Sequence, residues 1–255
     1  MKIVIMCGGR GKRLGAYTRR VPKPLVQLNG KTILWHKIEE YLRQGFEEFI
    51  LCIGYKGEMV RRAVAKYRRL ARIEFSDAGP TAGILERVWE ARDLFGDRVL
   101  MTYGDTFTDM DLGDFAEWHE GHGCAATIVA APVESPFGLV EFDGRGRATT
   151  FEEKPTLSYY IGQAIINRGA LSLVEPEVVR APDGEGIVAF YERLIELGQL
   201  GVYYHGGFEI AFNTREELRT ARQRLLKFFT TTEDSFERQE GTRQRRGGVH
   251  RVASG

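Results

Sequence analysis

The sequence predicts an α/β protein whose sheet is mostly parallel and covered by helices on both faces. In the first half of the 255-residue chain, short apolar segments alternate with segments of helical spacing. Near-continuous apolar segments such as Phe49–Ile53 and Val99–Tyr103 are typical of strands that are buried on both faces. Because parallel strands need long crossover connections, the alternation favours successive βαβ units.

The elements of the first half follow in order from the apolar pattern. Strands are predicted at Lys2–Met6, Phe49–Ile53, Ile73–Ser76 and Val99–Tyr103. Helices are predicted at Ile33–Gln44, Glu58–Tyr67 and Gly83–Leu94. The first of these helices is followed by Gly45, a residue type that commonly terminates helices.

The second half changes character, because strands and hairpins become more frequent than helices. The predicted elements are a helix at Leu112–Glu120, a strand at Ala125–Ala131, a hairpin of Gly138–Phe142 and Ala148–Phe151, a strand at Tyr160–Ile166, a helix at Val188–Leu197, a strand at Val202–Phe212 with a glycine interruption at Gly206-Gly207, and a helix at Thr214–Phe229. We expect residues 1–229 to form one domain, with a smaller β subregion at about 112–212. Residues 230–255 lose periodicity and are predicted to form a disordered basic tail.

Composition excludes several classes of protein. The chain is 43% hydrophobic and 28% charged with a net charge of +1, which is ordinary for a globular domain and unlike a polyanion-binding protein. Its three cysteines are far apart and form no CxxC pair, which argues for reduced thiols in a cytoplasm. No apolar segment approaches membrane-spanning length, so we expect a cytoplasmic protein without a membrane partner.

Two segments that follow predicted strands carry the residues of a candidate site. Residues 7–14 follow the first strand and contain glycines and cations, and Asp105 follows the Val99–Tyr103 strand. Ligands of open parallel sheets bind beyond the carboxyl ends of the strands. Taken alone, Gly8-Gly9 is consistent with a tight turn and Asp105 with a helix cap. Together with Lys23, they predict a metal–nucleotide site, since carboxylates hold Mg²⁺ and cations neutralise phosphates.

The motifs resemble those of the sugar-1-phosphate nucleotidyltransferase family. Gly8-Gly9-Arg10-Gly11-Lys12-Arg13-Leu14 followed by Pro22-Lys23-Pro24-Leu25 is similar to that family's GGxGxRL…PKP signature. The segments ILWH, CIGYKG and TYGDxxxDxD are most similar to the glucose-1-phosphate cytidylyltransferase branch. The likeness covers about residues 1–225. It implies a Rossmann-like fold and the transfer of a nucleotidyl group from a nucleoside triphosphate to a sugar 1-phosphate, with release of pyrophosphate.

The resemblance also implies roles for individual residues. Arg13 would hold the leaving pyrophosphate, Lys23 would lie beside the α-phosphate, and Asp105 would bind Mg²⁺. The nucleotide would contact Cys7, Gly8, Gly9, Gly11, Lys12, Ala82, Gly83 and Gly104. Lys154 would bind the sugar phosphate and Glu153 would accept hydrogen bonds from the sugar hydroxyl groups, with Gly138 and Asn167 as further substrate contacts.

Three departures from the family pattern leave alternatives open. Lys12 stands where the family has Thr, a departure that we expect to be tolerated. Ile84 and Glu86 replace basic residues of the cytidylyltransferase pattern, and Thr81-Ala82-Gly83 is more similar to guanylyl- and thymidylyltransferases, so GTP or dTTP remains an alternative to CTP. Asn213 stands where the cytidylyltransferase branch has an Asp as second metal ligand, so Asp109 or Asp111 is a possible substitute. Asn retains a carbonyl oxygen ligand but lacks the charge.

Two hypotheses from other classes accompany the enzyme hypothesis. A catalytically degenerate nucleotide-sugar-binding regulatory protein is suggested by Asn213 and Lys12. A nucleic-acid-binding module is suggested by the basic N-terminal segment and by the arginines of the tail, although the neutral net charge disfavours it. A homo-oligomer is left open.

Overall fold

The computed structural model describes residues 1–11, 16–182, 184–211 and 216–225. The predicted tail at 230–255 lies outside these residues. The elements of the first half are β1 (Lys2–Met6), α1 (Ala16–Arg20), β2 (Gln27–Leu28), β3 (Lys31–Thr32), α2 (Ile33–Arg43), β4 (Glu48–Ile53), α3 (Gly57–Val64), β5 (Arg72–Asp77), α4 (Ile84–Glu90), β6 (Arg98–Tyr103) and β7 (Thr106–Thr108). Short 3-10 helices cover Lys23–Leu25, Ala65–Tyr67 and Arg168–Leu173.

The second half adds further strands and helices to the structure. Its elements are α5 (Leu112–His122), β8 (Ala126–Glu134), β9 (Leu139–Phe142), β10 (Ala148–Glu152), β11 (Thr156–Asn167), α6 (Pro176–Val179), α7 (Glu185–Glu196), β12 (Leu200–Tyr204), β13 (Glu209–Ala211) and α8 over 216–225. The β9–β10 hairpin confirms the predicted hairpin, and it pairs antiparallel.

The central sheet has seven strands in the order β12-β8-β11-β6-β1-β4-β5. β1 lies between β4 and β6 and pairs with both in parallel, and β4–β5 and β12–β8 are also parallel. β11 runs antiparallel to both of its neighbours, β6 and β8. The predicted mostly parallel sheet is confirmed.

Helices cover both faces of this sheet, as predicted. Alternate residues of β1 enter different core clusters, since Ile3 and Ile5 pack on one face and Val4 packs on the other. α2, α3 and α5 contribute to the first cluster, and α4, α6 and α7 contribute to the second. Within the described residues, none of the helices has the length and apolar character needed to span a membrane.

The predicted strand Val202–Phe212 is divided in two by the segment between β12 and β13. β12 ends at Tyr204, and β13 pairs antiparallel with β7 in a separate two-stranded sheet. The break contains Gly207, where a Cβ would lie 2.4 Å from Asp109 Oδ1, so glycine fits the close approach there. The predicted interruption at Gly206-Gly207 is therefore confirmed, and the division moves Glu209–Ala211 away from the central sheet.

α2 carries a lysine and a glutamate into the protein interior. Lys37 is fully buried, and its Nζ donates a hydrogen bond to the backbone carbonyl of Thr106. The ammonium lies 5.3 Å from the ring centroid of Tyr41 and 5.2 Å from that of Phe107. Burial raises the pKa of Glu40 to about 7, an effect that the charge of Lys37 opposes. Burial likewise lowers the pKa of Lys37 to about 8.

Glu40 is expected to make stability depend on pH. Since its pKa rises from 4.5 to about 7 on folding, wild-type protein loses stability as the pH increases through that window. The Glu40→Gln variant lacks this loss. The difference in free energy of unfolding, variant minus wild type, should therefore be more positive at pH 8 than at pH 5 by on the order of 1–3 kcal/mol. Urea denaturation at both pH values measures this difference, and an equal difference at both would contradict it.

Candidate active site

A cleft of about 1080 Å³ opens beyond the carboxyl ends of β1 and β6. Its lining includes residues 7–11, which follow β1, and residues 104–106, which follow β6. The cleft also reaches Lys23 and Pro24 in the 3-10 helix and the segment that precedes α4. The structure therefore brings together two segments that are far apart in the sequence.

Lys23 and Asp105 form an ion pair in this cleft, between Nζ and Oδ2. Both side chains are largely buried, at 16% and 17% exposure, but they still line the cleft. A carboxylate next to a cation at a cleft wall provides one ligand for a divalent ion and one countercharge for phosphate. Within the described residues there is no cluster of three or more His, Cys, Asp or Glu side chains able to hold a metal alone. This donor set fits Mg²⁺, which commonly takes one or two carboxylates together with substrate phosphates.

Residues 7–11, the glycine loop, are held against the end of β4. Cys7 N donates to Cys52 O at 2.9 Å, and Tyr55 N donates to Gly8 O at 3.0 Å. A Cβ at Gly8 would lie 2.1 Å from the Nη1 of Arg87, so only glycine fits there without rearrangement. The backbone of this loop is therefore fixed beside the cleft.

Arg87 of α4 is a buried residue that the sequence reasoning did not identify. It is 4% exposed, and its guanidinium donates to three backbone carbonyls. Nη1 donates to Ile53 O at 2.7 Å, and Nη2 donates to Gly79 O at 2.9 Å and to Gly8 O at 3.4 Å. The signal in the sequence was an arginine within the apolar face of a predicted helix. Arg87 ties the glycine loop to the segment before α4.

The residues implied to bind the nucleotide mostly line the cleft. These are Cys7, Gly8, Gly9, Gly11, Ala82 and Gly104. Gly83 is the N-terminal flanking residue of α4, adjacent to Ala82. Burial raises the pKa of the Cys7 thiol, which agrees with a packing role for this residue. Lys12 and Arg13 lie outside the described residues.

The residues implied to bind the sugar phosphate do not line the cleft. Asn167 pairs with Arg98 at the beginning of β6, which is the opposite end of that strand from Asp105. Its side chain donates to Cys124 O at 3.1 Å and contacts His119 Nε2 at 3.0 Å. Gly138, Glu153 and Lys154 flank the exposed β9–β10 hairpin and are also absent from the cleft lining.

Other residues of β8 and β11 form that side of the cleft, namely Val133, Tyr159, Tyr160, Ile161 and Gly162. The β11–β8 register shifts between Tyr160 and Ala164. Gly162 has φ +79°, and a Cβ there would lie 2.5 Å from the ring of Tyr103. A single glycine within a strand pattern indicates such a bulge and could have identified the segment.

The aspartates suggested as substitutes for a second metal ligand have other partners. Asp111 accepts hydrogen bonds from the backbone N–H groups of Gly113 and Asp114 and caps α5. Asp109 contacts His205 Nε2 at 3.1 Å. Asn213 lies outside the described residues, but Ala211, two positions earlier, pairs with Thr106 beside Asp105.

Comparison with known proteins identifies relatives over most of the chain. A protein from Bacillus subtilis named "Probable glucose-1-phosphate cytidylyltransferase" is 32% identical over 244 residues, which are 86% of this chain and 93% of the relative. The zebrafish (Danio rerio) "Mannose-1-phosphate guanylyltransferase catalytic subunit beta" is 35% identical over 61% of this chain and 45% of its own length.

Solved structures share the fold. The crystal structure of a putative glucose-1-phosphate thymidylyltransferase from Bacillus anthracis superimposes with a TM-score of 0.70 at 18% identity, covering 88% of this chain and 94% of that one. The nucleotidyl transferase family profile matches residues 2–180, which include the glycine loop, Lys23 and Asp105. The chain therefore belongs to the nucleotidyl transferase family, which is a family of enzymes.

Proposed function

We propose that the protein transfers a nucleotidyl group from a nucleoside triphosphate to a sugar 1-phosphate and releases pyrophosphate, with CTP as the favoured nucleotide. The observation that carries the proposal is the Lys23–Asp105 pair, placed in one cleft with the glycine loop. The reaction brings two polyanions together, so countercharge and positioning supply most of the catalysis.

Each element of the cleft has a task in this reaction. The glycine loop offers backbone N–H groups to the nucleotide because no Cβ intervenes. Lys23 neutralises the α-phosphate and the incoming phosphate. Asp105 would hold Mg²⁺, which when bound would supply charge neutralisation at the phosphates. The family resemblance assigns the pyrophosphate to Arg13 and a second metal ligand to Asn213, which both lie outside the described residues. The sugar phosphate is itself the nucleophile and is largely dianionic near neutral pH, so no general base is required.

Support for CTP comes from the Bacillus subtilis relative, which aligns with most of both chains. GTP and dTTP are the alternatives. The guanylyltransferase from zebrafish is similar to part of this chain, and the thymidylyltransferase structure shares its fold. Within the described cleft, Ile84 is the side chain that stands in place of a basic residue of the cytidylyltransferase pattern.

Pyrophosphate release across a grid of nucleoside triphosphates and sugar 1-phosphates, with and without Mg²⁺, tests the proposal. We expect Mg²⁺-dependent turnover, fastest with CTP and a hexose 1-phosphate. Turnover that is fastest with GTP or dTTP would change the assigned nucleotide and leave the assigned reaction unchanged. Binding of a nucleotide sugar without turnover of any pair would instead support the degenerate regulatory protein.

A further inference from the structure

Glu209 lines the cleft and has no task in the proposed reaction. It lies on β13, where residues 209 and 211 line the cleft and the intervening Ile210 is 4% exposed and packs in a hydrophobic cluster with Phe107 and Leu218. Because side chains alternate across a strand, the Glu209 side chain points into the cleft.

The carboxylate of Glu209 makes no hydrogen bond or ion pair with another residue in the described part of the chain. Burial raises its pKa, and the charges of Arg224 and His205 oppose that increase. Arg224 Nη2 donates to the backbone carbonyl of Glu209 at 3.2 Å and not to its carboxylate. A half-buried carboxylate with no bonded partner among the described residues is a candidate acceptor for a ligand.

The topology places Glu209 on the side of the cleft opposite the nucleotide segments. The glycine loop and Ala82 lie on the β1–β4 side of β6, whereas β11 and β8 lie on the other side. The chain that leads into β13 is bonded to β8, because His205 N donates to Ala130 O at 2.8 Å. Ala130 pairs with Tyr160 of β11. Glu209 therefore follows a segment anchored next to the tyrosines of the cleft.

These tyrosines form an aromatic wall, which we define as Tyr103, Tyr159 and Tyr160. The rings of Tyr103 and Tyr160 meet edge to face at 5.9 Å. The hydroxyl group of Tyr160 lies 3.1 Å from that of Tyr191 and is thus already engaged. Rings of this kind pack against the C–H face of a sugar, but sugar hydroxyl groups also need polar partners.

The register of β13 separates Glu209 from the metal-binding position. Ala211 pairs with Thr106, next to Asp105, whereas Glu209 pairs with Thr108. Two residues of strand correspond to about 6.6 Å. Oxygen ligands of one Mg²⁺ lie about 2.1 Å from the ion, so this offset favours a ligand group beyond the phosphates.

We propose that Glu209 is a specificity-determining residue that accepts hydrogen bonds from hydroxyl groups of the sugar 1-phosphate, whose ring lies against the aromatic wall. This inference rests on the proposed function. It assigns to Glu209 the task that the family resemblance implied for Glu153.

Glu209→Gln and Glu209→Ala test the assignment in the full-length protein. With the best substrate pair of the wild-type grid, we expect KM for the sugar 1-phosphate to increase about 10-fold to 100-fold, because a charged acceptor is weakened or lost. KM for the nucleotide and the Mg²⁺ concentration for half-maximal rate should change less than about twofold. Glu192→Gln, at an exposed position on α7, is the matched control and should leave all three values unchanged.

A series of monodeoxy sugar 1-phosphates makes the test sharper. The analogue that lacks the hydroxyl bonded to Glu209 should bind wild type more weakly than the complete sugar 1-phosphate does. Glu209→Ala should bind the two compounds equally, as in a double-mutant cycle. The assignment would be overturned if KM for the sugar 1-phosphate were unchanged in both Glu209 variants, or if these variants changed the Mg²⁺ dependence instead. It would also be overturned if only Glu153→Gln increased KM for the sugar 1-phosphate.

Failure of the proposed function is recognised separately, as wild type that turns over no pair in the grid. In that case calorimetric binding of glucose 1-phosphate still decides the inference. The assignment requires that wild type binds this compound and that Glu209→Ala weakens the binding. It is overturned when wild type does not bind or when both proteins bind equally.

Discussion

Asp105→Ala is expected to lower kcat by on the order of 10²–10³-fold and to shift the Mg²⁺ dependence to higher concentrations. Asp105 is the carboxylate that the structure places directly after β6 and beside Lys23. Its removal takes away a metal ligand. It also leaves the Lys23 ammonium without its partner carboxylate at a largely buried position. Steady-state pyrophosphate release over a Mg²⁺ titration measures both effects.

Asp111→Ala is the matched control for Asp105→Ala, because both aspartates belong to the same TYGDxxxDxD segment. Asp111 caps α5 through the N–H groups of Gly113 and Asp114, so its loss should cost about 1 kcal/mol of stability and leave the Mg²⁺ titration unchanged. Near-normal Mg²⁺-dependent activity in Asp105→Ala would mean that the metal is held elsewhere.

Arg87→Met is expected to destabilise the protein by about 3–5 kcal/mol, because three backbone carbonyls at a largely buried position lose a charged donor. The side chain of methionine fills part of the space but donates no hydrogen bond. The glycine loop should lose its fixed position as well, so we expect KM for the nucleotide to increase more than KM for the sugar 1-phosphate. Urea denaturation and the two KM values measure these effects.

Arg92→Met provides the comparison at the C-terminal flank of α4. Arg92 is bonded to the Trp89 carbonyl at 2.8 Å and lies over the Trp89 ring, with a part-exposed side chain. Its replacement should cost less than about 1 kcal/mol and leave both KM values unchanged. If Arg87→Met and Arg92→Met lost equal stability, the hydrogen bonds from Arg87 to the three carbonyls would contribute little to the free energy of unfolding.

Local patterns were sufficient to predict the elements of the nucleotide side. β1, β4 and β6 are apolar segments of the length and composition that buried parallel strands require, and both candidate segments follow such strands. The meeting of the glycine loop with Asp105 could be anticipated because carboxyl ends of parallel strands share one edge of a sheet. The Lys23–Asp105 ion pair required the structure.

The geometry of the sugar side depends on strand register. The resemblance implied Asn167, yet the antiparallel direction of β11 carries that residue to the far end of β6. The bulge after Tyr160 brings Gly162 to the cleft instead. Shifts of one residue reverse the face on which a strand side chain lies, and the sequence pattern does not specify them when both faces are buried.

The sequence by itself determined the α/β class, the order of the elements and the two segments at the carboxyl ends of β1 and β6, because these depend on local apolar periodicity and on glycine and charge spacing. Only the tertiary structure decided that Arg87 braces the glycine loop, that Lys37 is buried beneath Thr106 and that Glu209 faces the cleft. These placements depend on contacts between residues that are distant in sequence, and such contacts form only when the helices and strands pack together.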